Sequence, residues 1–74
     1  MKSQTIFWMR YWLTHHPGRG IRVDYNPKSS VGSRWRFVGG SPVDYPLVSC
    51  TGGSFPEAAD RFSLAIRKEI EGEG

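Results

Sequence analysis

The sequence predicts an α+β domain: a three- to four-stranded antiparallel sheet with one C-terminal helix packed on one face, in the order β-β-β-β-α. Three observations predict it. Apolar residues recur at three- and four-residue spacing from Ser54 to Glu71. Apolar and charged residues alternate at Ile21 to Tyr25 and again at Arg34 to Phe37. Segments rich in Pro, Gly and Ser separate these stretches.

The helix is the clearest element. Ala58, Phe62, Ala65, Ile66 and Ile70 form one face, which Phe55 and Ala59 widen. Glu57, Asp60, Arg61, Arg67, Lys68 and Glu71 fall on the opposite face, with a lone Leu64 among them as a candidate second contact. Ser54 and Glu57 have capping-box spacing: the Ser54 hydroxyl accepts from the Glu57 N–H, and the Glu57 carboxylate reaches back to the Ser54 N–H. Pro56 suits the first turn, and Gly72 is the stop.

The strands come next. Ile21, Val23, Tyr25, Trp35 and Phe37 form one sheet face, expected under the helix; Arg22, Asp24, Arg34 and Arg36 lie on the reverse side. Asn26 to Ser33 is the turn between them. Leu47 to Thr51 is a short further strand after the broken loop Gly39 to Pro46. Thr5 to Thr14 is almost wholly apolar and fits helix or strand. Its Ile, Phe, Tyr and two Trp select strand, and Pro17 to Gly20 then makes the hairpin to Ile21.

The 74 residues form a single domain, 1–74, with 38% hydrophobic and 14% aromatic residues. That supports a modest core and is unlike a disordered chain. The only cysteine, Cys50, excludes an internal disulfide and a multi-cysteine zinc site. No apolar run is long enough to span a membrane. The expected location is the cytoplasm of a bacterial host. A formal charge of +3 permits an anionic partner without demanding one.

If the first strand keeps Arg10 out of the core, Trp8, Arg10 and Trp12 join the outer sheet face; the opposite register would place Phe7, Met9 and Tyr11 there. The preferred register gives a candidate binding site of Trp8, Arg10, Trp12, Arg22, Arg34 and Arg36. Arginines neutralise phosphates, and flat rings stack on bases. The same ingredients make hot spots on protein partners.

Other constellations are weak. His15-His16 lacks further ligands for a metal. Gly52-Gly53-Ser54 lacks a Walker lysine, and capping already accounts for Ser54. There is no Gly-x-Ser-x-Gly elbow and no paired carboxylate set. The expectation is a non-enzymatic chain without metal or cofactor.

Two stretches carry family resemblances. Thr51-Gly52-Gly53-Ser54-Phe55-Pro56-Glu57-Ala58, followed by Ala65-Ile66, resembles the strand-to-helix junction of HicB-like antitoxins. Arg34-Trp35-Arg36-Phe37, followed by Phe55-Pro56-Glu57-Ala58-Ala59, is similar to the arm-binding domains of tyrosine integrases and their AP2-like relatives. The first implies a module that blocks a partner enzyme. The second implies a three-stranded sheet held against DNA. In size and style the chain resembles small phage or mobile-element accessory proteins, a class that includes anti-CRISPR inhibitors. The expected partner is nucleic acid, with DNA favoured over RNA. The alternative is an acidic protein docked on the same face, and an open strand edge leaves monomer or homodimer.

Overall fold

The computed structural model describes residues 2–15, 20–40 and 48–72. Its elements run α1 (Ser3–His15), β1 (Ile21–Tyr25), β2 (Trp35–Gly39), β3 (Val48–Gly52) and α2 (Phe55–Gly72). The strands form one antiparallel sheet in the order β1-β2-β3. The architecture is α+β, as the patterning predicts.

The first element corrects the expected order. Thr5 to Thr14 is helix, not strand, so among the described residues the order is α-β-β-β-α and the sheet has three strands. Strand propensity lost to packing. Thr5, Trp8, Met9 and Trp12 stand at helical spacing and turn inward; Thr5 and Trp12 are fully buried, and Trp8 and Met9 pack on the core. The proposed hairpin at Pro17 to Gly20 lies mostly outside the described residues, as does most of the Gly39-to-Pro46 loop.

Helix α2 keeps close to its expected bounds. Ala58, Ala59, Phe62 and Ile66 are fully buried and meet Phe37 and Trp12 in the core. The helix lies over β2 and β3 and touches α1 on another side. Two glycines permit this close approach. A Cβ on Gly52 would sit 2.6 Å from the Ala58 backbone nitrogen, and one on Gly39 would sit 2.6 Å from the Phe62 ring. The cap differs from expectation in one bond. The Glu57 N–H donates to Ser54 Oγ at 3.3 Å, but the Glu57 carboxylate accepts from Gly53 N–H at 2.9 Å, not from Ser54.

The α1–α2 contact was not legible in the helix pattern. Thr5 Oγ1 donates to Asp60 Oδ1 at 2.5 Å, and buried Ser63 Oγ lies 3.4 Å from Thr5 Oγ1. Arg67 lies over the Trp8 ring at 5.5 Å. Asp60 and Arg67, assigned to the solvent side, therefore face α1. The Thr5 hydrogen bond, the foremost cause, holds the Asp60 carboxyl below the usual carboxylate range.

Between β1 and β2, a short 3-10 turn at Val31–Ser33 follows the Asn26 turn. Asn26 Oδ1 accepts from Lys28 N–H at 3.0 Å, the local bond that makes Asn a turn former. Among the described residues no helix is long and apolar enough to cross a membrane.

Candidate nucleic-acid interface

Strand alternation decides which side chains reach the outer face. Phe37 is fully buried beneath α2, so its neighbours Arg36 and Val38 point the other way. The register places Asp24 beside Arg36 on one side and Thr51 beside it on the other. Arg22 lies beside Val38, and Val38 beside Ser49. This face is polar over its whole width apart from Val38.

Arg34 enters from the turn that precedes β2. Its Nε donates to the Ser29 carbonyl at 3.4 Å, which holds the half-buried side chain against the turn. A shallow hollow of about 440 Å³ results, lined by Asp24, Asn26, Ser29, Ser33, Arg34, Arg36 and Thr51. Its walls offer two guanidinium groups, three hydroxyls and an amide. Those are donors suited to phosphate oxygens.

Asp24 is the one acid on this face among the described residues. Its Oδ2 lies 3.2 Å from Arg22 Nε and 3.9 Å from Arg36 Nη2. Both pairs are solvated, with side-chain exposures of 68% for Arg22, 52% for Arg36 and 46% for Asp24. Exposed ion pairs hold weakly, so the guanidinium groups remain available to a stronger anion. Every other described carboxylate side chain, from Glu57, Asp60, Glu69 and Glu71, belongs to α2 on the far side of the sheet.

The six candidate residues separate into two groups. Arg22, Arg34 and Arg36 come together as the patterning predicts. Trp8, Arg10 and Trp12 do not join them, because they belong to α1. Trp12 is a core residue with no exposed surface. Trp8 packs on the core beside Phe7 and Tyr11, at ring separations of 5.1 and 5.9 Å. Arg10 is exposed on the outer side of α1, between Ile6 and Phe7 on one turn and Leu13 and Thr14 on the next. Among the described residues, the basic face thus has no ring on it.

The residues missed at first are Asn26, Ser29, Ser33 and Thr51. The Asn-Pro start of the turn was the available signal for the first of them. Thr51 was visible only through its alternation with Cys50. Cys50 lies on the helix side, half-buried, where desolvation raises its thiol pKa more than nearby Arg61 lowers it. Among the described residues no group of three or more His, Cys, Asp or Glu could hold a metal. No protein-family model, curated protein or solved structure matches the chain.

Proposed function

We propose that the protein is a non-enzymatic module that binds duplex nucleic acid through the outer face of its sheet, chiefly by phosphate contacts. The observation that carries this reading is charge segregation. Among the described residues, Arg22, Arg34 and Arg36 share one face with a single acid, Asp24, while the remaining acids sit on α2. Lys28 stands exposed on the adjoining turn. With no ring on that face among the described residues, base stacking on single strands lacks a platform there. Binding should therefore be only weakly dependent on sequence and strongly dependent on salt.

Fluorescence anisotropy with labelled duplexes tests this. Affinity should fall steeply between low and moderate salt, with a slope near −0.9 per phosphate neutralised. Arg34→Ala with Arg36→Ala should weaken binding to all duplexes alike and flatten the salt slope by about 1 per lost contact. Single strands should bind less well than duplexes. No binding to DNA or RNA duplex at low salt would overturn the reading.

A second reading, docking on an acidic protein, is favoured by α1. Ile6, Phe7 and Leu13 are 46%, 58% and 49% exposed around Arg10, and the helix contains no acid. Scattered exposed apolar residues are ordinary, but three on one short helix around a cation suit a contact surface. A salt-tolerant one-to-one complex lost in a Phe7→Ser, Leu13→Ser variant would support this reading over the first.

A further inference from the structure

We infer that two copies of this chain pair through their β1 strands, antiparallel and centred on Val23, to make one continuous sheet. The inference stands on the strand edge itself and does not depend on the nucleic-acid reading.

The sheet order leaves β1 and β3 at the edges. The β3 edge is partly closed. Phe37 lies opposite Cys50, and the alternation of bonded pairs leaves Thr51 and Ser49 facing outward. Arg61 Nη1 donates to the Thr51 carbonyl at 3.1 Å and occupies that position. β1 has no such cover among the described residues, where β2 is the one element packed extensively against it.

The backbone bonds show which groups of β1 are free. Gly40 N–H donates to Gly20 O, and Asn26 N–H donates to Arg34 O. Even-numbered residues of this strand therefore face β2, and Ile21, Val23 and Tyr25 direct their N–H and C=O groups outward. A second β1 in antiparallel register, Val23 on Val23, matches these groups donor to acceptor in about six bonds.

The side chains select the same register. With Val23 on the two-fold axis, Arg22 lies opposite Asp24 of the second copy, and Asp24 opposite its Arg22. These are non-hydrogen-bonded pairs, in which side chains approach most closely. Sliding by two residues either way sets Arg22 on Arg22 or Asp24 on Asp24. Sliding by one residue mismatches the backbone donors. On the other face Tyr25 meets Ile21 of the second copy. Val23 and Tyr25 stand 39% and 52% exposed there because α2 covers β2 and β3 instead. Pairing covers them and doubles the set of Arg22, Arg34 and Arg36 along one surface.

A five-residue ribbon buries little area, so association in the micromolar-to-millimolar range is expected, below the ~1,000 Å² class of stable interfaces. Sedimentation across that range should show a concentration-dependent dimer, and Val23 amide exchange should slow as concentration rises. Arg22→Asp alone sets acid against acid, and Asp24→Arg alone sets base against base. Each should weaken the dimer by about tenfold or more. Mixing the two single variants, or combining both changes in one chain, restores the opposite pairs and should restore association. A chain that stays monomeric at millimolar concentration would overturn the inference, as would single variants that associate normally or a mixture that fails to recover.

Discussion

Two glycines set the distance between α2 and the sheet. At Gly52 an added Cβ would meet backbone, the Ala58 nitrogen at 2.6 Å and its Cα at 2.8 Å. Backbone cannot swing aside, so Gly52→Ala should cost about 1–3 kcal/mol in urea denaturation, the usual range for overpacking. Gly20→Ala, with open space around it, serves as the control. A second residue-scale effect concerns pH. Asp60 has a lowered folded pKa because Thr5 donates to its charged form. Its contribution is therefore present above the unfolded pKa and lost as pH falls through the folded value. Thr5→Val should reduce the loss of stability on acidification below about pH 4, read from urea midpoints at neutral and acid pH. The capping residues Ser54 and Glu57 were legible because their spacing is local. The Thr5–Asp60 bond spans 55 residues, and no local pattern reports it.

At the scale of elements, the two helices differ in how openly the sequence displays them. α2 separates its apolar and charged residues, so period and partner face read directly. α1 is apolar nearly all round, and such a run carries no clear period. Its β-favouring residues pointed to strand, while its inward stripe of Thr5, Trp8, Met9 and Trp12 decided for helix against α2. Trp12 gives the test. Trp12→Ala should cost about 3–5 kcal/mol, as removal of a buried indole does. Arg10→Ala, on the exposed side, should fall within about 0.5 kcal/mol of the parent chain. If residues 5–14 were an edge strand with Trp12 in solvent, both changes would be small.

Across the whole molecule, the sheet separates two surfaces of different character. Arginines, hydroxyls and an amide occupy its outer side, and both helices lie on the inner side. Charge reversal distinguishes them. Arg34→Glu should lower duplex affinity and reduce the salt slope by about 1, whereas Arg10→Glu should change binding much less, since α1 lies on the far side. Equal losses from the two variants, measured by anisotropy at matched salt, would place the binding surface elsewhere. The predicted site was half legible for the same reason. Arg22, Arg34 and Arg36 sit in or beside strands whose alternation is visible in the sequence. Trp8 and Trp12 were added to them only through the strand reading of α1.

The sequence by itself determined the α+β class, the C-terminal helix with its cap, the alternation of β1 and β2, and the side on which Arg22 and Arg36 emerge. Those features depend on residues within one or two turns of each other, where periodicity and backbone chemistry act directly. Only the tertiary structure decided that residues 3–15 are a helix, that the tryptophans belong to the core side, and that β3 has an edge carbonyl occupied while β1 is uncovered among the described residues. Those outcomes depend on which distant surface covers each apolar side chain, and burial can override the intrinsic preference of a short segment.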